Sequence, residues 1–310
     1  MVTAKNTISL KEKFKMKKIG ISCRGIVKDM GIGRGFEFIK KCGFDTVDFG
    51  LEGYKVGDKI YGGSLDQFET HFTEIKETAK HFELEISQTH GRCATYWPED
   101  DEHNAMVDEV CKYDLHATGV LGAPACVIHF PNNTRWGKCA PSLMHEKAAE
   151  LYDKCLPYAE KNKVAIAMET FGAARVNGAR IADFFAFPNE FLHQFNRLDT
   201  KYKTICVDTG HTHEAESFWV PSPEEMIKIL GKDVTLLHLH DNTGHWDDHL
   251  LPGLGNINWP AIFDSLDEIG YTGTYNFELR IPFKGTMMQD FVAYAGKYLR
   301  EFVDRRGDLK

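Results

Sequence analysis

The sequence predicts an α/β protein that folds as a single-domain (β/α)₈ TIM barrel. Three observations predict this fold. Eight short apolar runs recur along the 310 residues at fairly regular spacing. Amphipathic segments lie between these runs, and no Pro/Gly/Ser-rich linker divides the chain. An open doubly wound sheet is the alternative, but no G-x-G-x-x-G motif follows the first run, which disfavours the dinucleotide-binding form of that sheet.

The predicted strands are short, and several are nearly continuous in apolar or β-branched residues, as expected for strands buried on both faces of a parallel sheet. They lie at residues 19–23, 46–51, 84–89, 125–130, 164–170, 204–209, 234–240 and 274–279. Amphipathic helices are predicted between them, for example at 36–43, 65–82, 145–162 and 259–270. The barrel is expected to occupy residues 17–310, with residues 1–16 as an N-terminal extension.

Composition and charge narrow the classes of function. The formal net charge is −8, which disfavours a protein that binds duplex nucleic acid, since such proteins usually carry a basic stripe. The eight cysteines form no C-x-x-C pair and indicate reduced thiols; Cys206 is expected to be buried and inert, while Cys93 stays undecided. No run has the length of a signal-peptide core or a membrane span. We therefore expect a cytoplasmic protein with neither nucleic acid nor a membrane as partner.

Six consecutive predicted strands carry His, Glu or Asp at their C-terminal ends, where the active sites of these barrels lie. The residues are His90, His129, Glu169, Asp208 with His211, His238 with His240, and Glu278. A single one of them would more often be a hydrogen-bonded core residue or a solvated strand end. Gathered around one axis, however, the carboxylates would repel one another unless a cation lies among them. The pattern therefore predicts one divalent metal, with Mn²⁺ expected first and Co²⁺, Mg²⁺ or Zn²⁺ as alternatives.

Five motifs, in this order along the chain, resemble those of the xylose isomerase-like TIM barrel superfamily. They are MET (168–170), VDTGH (207–211), HLHDN (238–242), LPGLGNINW (251–259) and NFEL (276–279). Within the superfamily the chain is most similar to the sugar phosphate isomerase/epimerase group, which includes ketose 3-epimerases, inosose dehydratases and endonuclease-IV-like enzymes. The resemblance covers roughly residues 17–302.

The resemblance implies which residues bind metal and substrate. In the ketose 3-epimerases, Glu, Asp, His and Glu from strands five to eight hold one metal, and these fall on Glu169, Asp208, His238 and Glu278. His238 is preferred over His240 because the ligand His of the family is followed three positions later by an acidic residue, here Asp241. His240, which points inward by strand alternation, remains a site residue whose role is open.

Further residues are expected to bind substrate. The resemblance assigns this role to His211, and His90 and His129 would bind either substrate or a second metal. The chain departs from the epimerases at two positions that help to hold substrate, because it has Arg175 and Gly244 where they have Glu and Arg. We therefore do not expect a free ketohexose bound in the usual way; Arg175 is either a contact for a carboxylate or phosphate or a solvated loop residue. Trp136 is either an aromatic platform for a sugar ring or an anchor that packs its loop.

Endonuclease-IV-like enzymes use nine ligands for three zinc ions, and the chain has a candidate for each. The candidates are His90, His129, Glu169, Asp208, His211, His238, Asp247, His249 and Glu278. Asp247 and His249 have the D-x-H spacing of that group and mark a candidate second metal site. The acidic balance of the chain and the lack of basic loops disfavour DNA cleavage.

The expected reaction is proton abstraction next to a carbonyl, through an enediolate, on a small sugar-like molecule or its phosphate. Glu169 and Glu278 would stand on opposite faces of the substrate, one removing a proton and the other returning it. The outcome would be epimerisation, isomerisation or, if a β-hydroxyl leaves, dehydration. The alternatives are an inosose dehydratase-like lyase, an endonuclease-IV-like zinc phosphodiesterase, and a barrel that binds a ligand without turnover. The family also suggests a homodimer or a homotetramer.

Overall fold

The computed structural model describes residues 16–92, 96–131 and 141–308. Its strands, in chain order, are β1 Ile19–Ser22, β2 Thr46–Gly50, β3 Glu85–His90, β4 Ala125–Val127, β5 Ala165–Glu169, β6 Ala173–Val176, β7 Ala179–Ala182, β8 Lys203–Asp208, β9 Val234–His238 and β10 Tyr275–Phe277. Each strand predicted from an apolar run is present and starts within one residue of its expected start. The fold class predicted from the sequence is thereby confirmed.

The eight barrel strands are parallel and follow the order β10-β1-β2-β3-β4-β5-β8-β9. Between the two strands at the ends of this order, the backbone N–H of Leu239 donates to the carbonyl of Asn276 at 2.8 Å. Leu239 also forms an isolated parallel bridge with Phe277. The sheet therefore closes on itself, and the C-terminal ends of all eight strands face the same side.

Helices surround the sheet and follow most of its strands. They are α1 Arg24–Met30, α2 Ile32–Lys41, α3 Leu65–His81, α4 Asp101–Leu121, α5 Pro141–Asn162, α6 Pro188–Arg197, α7 Thr209–Ala215, α8 Pro223–Leu230, α9 Trp259–Glu268 and α10 Gly285–Asp304. Local sequence fixes several of their ends. Ser64 and Gln67 form a capping box at the start of α3, and Gly122 ends α4 in the left-handed conformation at φ 81°.

The antiparallel hairpin of β6 and β7 was not predicted. Its turn is Asn177-Gly178, where both residues have positive φ, at 50° and 82°. An Asn-Gly pair between short extended segments is the usual sequence of a two-residue hairpin turn. The hairpin follows β5 and therefore lies at the C-terminal face of the barrel, beside the predicted site.

The interior of the barrel has an apolar side and a polar side. The apolar side is a small cluster on β4, β5, β8 and β9 formed by Ala125, Val127, Ala167, Cys206 and Leu236. The polar side includes buried side chains of β2, β3 and β10, among them Thr46, Asp48, Gln88 and Asn276. The larger apolar core packs outside the sheet, against the helices. The polar side matters for function because it lies beneath the predicted metal site.

The state of Cys206 and the search for membrane-spanning helices can be compared with the predictions from the sequence. Burial raises the pKa of Cys206 to about 12, as expected for an inert thiol. None of the helices in the described ranges is long and apolar enough to cross a membrane. Residues 1–15, Cys93 and Trp136 lie outside the described residues. The N-terminal extension, the cytoplasmic location and the oligomeric state stay predictions.

Candidate active site

Four side chains that can bind a metal converge at the C-terminal ends of β3, β5, β9 and β10. One ligand-type atom from each of His90, Glu169, His238 and Glu278 lies within 4.8 Å of all the others. The centre of this group, called the Glu169 group below, is a contact of 2.5 Å between His238 Nδ1 and Glu169 Oε1, and Glu278 Oε2 lies 3.3 Å from the same nitrogen. Three of the four predicted metal ligands are therefore together, with His90 beside them.

Asp208, the remaining predicted ligand, lies on the other side of Glu169. Together with Glu169 and His211 it forms a second group whose ligand-type atoms lie within 4.8 Å. Its carboxylate accepts the backbone N–H of His211 at 2.6 Å, which caps the start of α7, and lies 3.0 Å from His240 Nε2. Glu169 therefore belongs to both groups and links them.

A third group, formed by His240, Asp247 and His249, lies next to the second. Asp247 Oδ2 is 3.1 Å from His249 Nε2 and 3.5 Å from His211 Nε2. The imidazole rings of His240 and His249 are stacked, with their centroids 3.9 Å apart. His249 Nδ1 donates to the carbonyl oxygen of Glu278 at 2.8 Å, which fixes this loop to the end of β10. The residues predicted for a second metal therefore adjoin those predicted for the first.

Buried carboxylates and imidazoles hold one another charged in this region. Burial alone would raise the pKa of Glu169, but the His238 and His129 imidazoles lower that pKa well below its usual range. Burial alone would lower the pKa of His249, whereas its hydrogen bond to Asp247 raises that pKa to about 9. Positive charge is therefore needed to keep these carboxylates ionised, and a metal cation provides such charge in the same place.

The donor set fits a divalent metal. It combines imidazole nitrogens with carboxylate oxygens, which Mn²⁺, Co²⁺ and Zn²⁺ accept. Glu169 Oε2 is fully buried and makes no hydrogen bond of ordinary geometry, although His129 Nε2 lies 2.5 Å from it. His240 Nδ1 is also buried without a hydrogen bond. Unsatisfied buried polar atoms are costly, so a buried imidazole nitrogen without a partner among the candidate ligands suits coordination.

Asp48 and Gln88 orient His238 from below, and neither was singled out in the sequence. Asp48 Oδ2 lies 2.9 Å from His238 Nε2, and Gln88 Nε2 lies at the same distance from that nitrogen. Donation of the Nε2 proton to Asp48 leaves Nδ1 facing Glu169 and Glu278. The sequence signal was an acidic residue inside an otherwise apolar strand, since a buried carboxylate requires a partner.

Asp48→Asn is expected to weaken metal binding by about 10–100-fold, because a carboxylate behind a ligand histidine fixes its tautomer and orientation. The measurement is calorimetric titration of the metal-free protein with Mn²⁺. Glu85→Gln, the same kind of change at the opposite end of the barrel beside Lys18, serves as control. Equal Mn²⁺ affinities of the wild type, Asp48→Asn and Glu85→Gln would show that Asp48 does not support metal binding through His238.

Gly210 gives His240 the space to reach Asp208. A Cβ atom on Gly210 would lie 1.9 Å from His240 Cε1 and 2.4 Å from Nδ1. The ring has little freedom to move because it is buried and stacked on His249. This accounts for the glycine in the VDTGH motif without any requirement for positive φ.

Gly210→Ala is therefore expected to displace His240 and to lower the free energy of unfolding by about 1–3 kcal/mol, as overpacking of a buried site does. Thermal unfolding of the metal-free protein measures this effect. Gly33→Ala is the control, since a Cβ at Gly33 meets nothing within 4 Å. A Gly210→Ala protein as stable as the control would show that the ring moves freely.

A cavity of about 340 Å³ opens beside the second and third groups. Its lining includes four of the predicted site residues, His129, Arg175, His211 and Asp247, together with Asp183, which was not predicted. The Arg175 guanidinium carbon lies 3.6 Å from the centre of the Trp246 ring. Burial raises the pKa of Asp183 to about 6. Trp136, proposed as a sugar platform, cannot be assigned a place because it lies outside the described residues.

Sequence relatives of the chain have no assigned function. It is 27% identical over 172 residues to the uncharacterized protein y4fM of Sinorhizobium fredii, a match that covers 55% of this chain and 51% of the relative. It is 35% identical over 94 residues to the uncharacterized protein MJ1311 of Methanocaldococcus jannaschii, covering 29% of this chain and 30% of the relative. The chain thus matches about half or less of the length of these relatives.

Solved structures with the same fold cover nearly the whole chain. A D-tagatose 3-epimerase-like protein superposes with a TM-score of 0.73 at 20% identity, over 93% of this chain and 97% of the other. The IOLI protein with a bound zinc atom gives 0.71 at 16% identity, over 93% and 99%. D-psicose 3-epimerase in the presence of D-fructose gives 0.68 at 14% identity, over 94% and 100%. Identities this low establish the fold alone.

Family membership follows from a longer match. Residues 36–289 match the model of the xylose isomerase-like TIM barrel family. This range includes β2 to β10 and all three groups of candidate ligands. The chain therefore belongs to the xylose isomerase-like TIM barrel family.

Proposed function

We propose that this protein is a divalent-metal-dependent carbohydrate isomerase or epimerase that moves a proton on the carbon next to a carbonyl. The observation that carries the proposal is the Glu169 group, in which two carboxylates and two imidazoles converge at the C-terminal end of the barrel. A D-psicose 3-epimerase and a D-tagatose 3-epimerase-like protein are among the proteins with the same fold, which supports the choice of reaction class.

Glu169, Asp208, His238 and Glu278 would hold the metal, with His90 in place to contribute. When bound, a divalent ion supplies Lewis-acid polarisation of the substrate carbonyl and a template for its neighbouring hydroxyl. Mn²⁺ is the first candidate, with Co²⁺, Mg²⁺ and Zn²⁺ as alternatives, and the bound zinc of the IOLI protein is a precedent within this fold.

The two carboxylates differ in a way that suggests their roles. The side chain of Glu169 is 1% exposed and is held by His238 and His129, whereas the side chain of Glu278 is 23% exposed. Glu278 is therefore the better placed of the two to take a proton from a bound substrate, and Glu169 the better placed to anchor the site. A base must come within hydrogen-bond reach of the proton that it removes, which favours the more accessible group.

Residues around the cavity would bind and shield the substrate. His211 Nε2 points toward Asp247 at the edge of the cavity and can donate to a substrate oxygen. Phe171 packs between His129 and His211, with its ring centroid 5.4 Å and 6.4 Å from theirs. Such an aromatic side chain excludes water and offers an apolar surface to the C–H face of a sugar.

Metal reconstitution tests the proposal. The protein is stripped with a chelator, the residual metal is quantified, and isomerisation of a panel of ketoses and aldoses is followed as Mn²⁺, Co²⁺, Mg²⁺ or Zn²⁺ is added back. We expect negligible turnover without metal and recovery with at least one ion at about one equivalent per chain. Equal turnover by stripped and reconstituted protein would refute metal dependence.

A zinc phosphodiesterase of the endonuclease-IV type is the second candidate. The third group favours it, because His240, Asp247 and His249 add a further set of possible ligands next to the Glu169 group. Three tightly held zinc ions per chain and cleavage of a duplex with an abasic site would support this function. No cleavage at saturating Zn²⁺ would exclude it.

A further inference from the structure

The cavity of about 340 Å³ is joined to the Glu169 group through shared residues. His129 lines the cavity and also lies 2.5 Å from Glu169 Oε2. His211 lines it and is part of the group that contains Asp208 and Glu169. A substrate whose carbonyl lies at the Glu169 group would therefore extend the rest of its chain into this cavity.

Asp183 lines the cavity and has one carboxylate oxygen without a hydrogen-bond partner. Its side chain is buried, with the residue 2% exposed, and it lines the cavity wall. Oδ1 accepts the backbone N–H of Phe185 at 3.1 Å, whereas Oδ2 is buried and has no hydrogen-bond partner. The backbone N–H of Asp183 donates to the carbonyl of Gly172 at 3.0 Å, so the carboxylate is held in place at the end of β7.

The hairpin reaches this position because Gly172 has no side chain. A Cβ atom there would lie 2.9 Å from the carbonyl oxygen of His211 and 3.2 Å from Glu214 Oε2. The close approach of the hairpin to α7 brings Asp183 into the lining of the cavity, which also contains His211. The packing of the hairpin against α7 therefore fixes the position of Asp183.

The other two carboxylates of the described cavity lining, Glu214 and Asp247, contact cationic or imidazole side chains. Glu214 Oε1 lies 3.4 Å from Arg180 Nη2, and Asp247 contacts His249 and His211. The Arg175 guanidinium stacks on Trp246 at the exposed rim. Asp183 is thus a carboxylate of the described lining with a buried oxygen that has no hydrogen-bond partner, and this oxygen can bind a ligand.

We propose that this cavity receives the uncharged, hydroxyl-bearing part of the substrate, and that Asp183 determines specificity by accepting a hydrogen bond from a substrate hydroxyl. The proposal rests on the proposed function for the reaction itself and adds the substrate class, a free polyhydroxylated sugar. A phosphate or carboxylate next to Asp183 would meet a buried carboxylate of like charge. Rejection of the charged analogue is therefore part of the specificity.

The test compares free sugars with their terminal phosphates in wild type, Asp183→Asn and Asp183→Ala. Ligand-observed NMR gives binding, and turnover with added Mn²⁺ gives KM and kcat separately. Asp183→Asn keeps an oxygen for the Phe185 N–H but loses the charge, and Asp183→Ala loses both. Asp100→Asn, a change of the same kind at the start of α4, controls for the loss of a capping carboxylate.

We expect the wild type to bind free sugars more tightly than the phosphates. Asp183→Ala should raise the KM for the free sugar by about 10–100-fold, the worth of a hydrogen bond to a charged group, with a smaller change in kcat. Asp183→Asn should reduce the difference in binding affinity between free sugars and their phosphates. Asp100→Asn should behave as wild type.

Failure of this inference is distinguishable from failure of the proposed function. Preferential binding and turnover of phosphorylated sugars would overturn the role of Asp183 and leave the reaction standing. An unchanged KM for free sugars in both Asp183→Asn and Asp183→Ala would also overturn the role of Asp183 and leave the reaction standing. Absence of binding and turnover for both classes of sugar would refute the inference together with the proposed function.

Discussion

Glu278→Gln is expected to lower turnover by about 10²–10⁴-fold, the usual contribution of a general base, while the protein still folds and binds metal. Glutamine has the size of glutamate but cannot take up a proton. The remaining ligand-type groups, including Glu169 and His238, stay in place because Glu278 contacts His238 at 3.3 Å without holding it alone. The measurement is the rate of proton exchange on a substrate together with the metal content of the variant.

The matched control for this change is Glu85→Gln, at the N-terminal end of β3 on the opposite face of the barrel. Its turnover should equal that of the wild type. A Glu278→Gln protein that contains metal and keeps wild-type exchange would show that another group is the base. A variant that loses its metal would instead give Glu278 a mainly structural role at the site.

Glu169→Gln is expected to abolish both metal binding and turnover. Glu169 belongs to two groups of candidate ligands and contacts His238 and His129 at 2.5 Å each. Removal of one partner from a buried charged network leaves the others uncompensated, which typically costs about 3–5 kcal/mol. We therefore expect a clear fall in the melting temperature as well.

Calorimetric titration with Mn²⁺ and thermal unfolding measure the two effects of Glu169→Gln. The comparison with Glu278→Gln is informative, because the less buried carboxylate should affect turnover more than metal affinity. Equal Mn²⁺ affinity of Glu169→Gln and wild type would contradict the assignment of Glu169 as the central ligand.

The strands could be predicted because a parallel barrel imposes a simple pattern on the sequence. Runs such as 164–170 and 204–209 are buried on both faces, so they are apolar throughout, and a polar residue at their end is conspicuous. The C-terminal ends of parallel strands share one face, so Glu169, His238 and Glu278 could be expected to meet. The structure brings these three together.

The finer arrangement of the site depends on contacts between distant segments, which local patterns do not contain. Asp208 lies 3.0 Å from His240. The His240 ring can come this close to Asp208 because Gly210 has no side chain in its way, and the residues of β8 alone do not indicate this contact. Asp48 supports His238 from 190 positions away along the chain. Neither pairing could be read from one strand.

The hairpin of β6 and β7 explains why Asp183 was overlooked. The strands are four residues each, contain one Arg each and are only partly buried, so they lack the long buried apolar run that marks the barrel strands. The Asn177-Gly178 turn was the available signal. With the hairpin recognised, Asp183 at its end would have been a candidate, because the segment that follows β5 lies at the active face.

Exchange of solvent deuterium into substrate tests the central claim most directly. A panel of free sugars and cyclitols is incubated with the protein and Mn²⁺ in D₂O, and the carbon next to the carbonyl is followed by NMR. We predict deuterium at that carbon for at least one substrate, lost on metal removal and in Glu278→Gln. Conversion of a substrate without any incorporation, or incorporation that is unaffected by both changes, would contradict proton abstraction by this site.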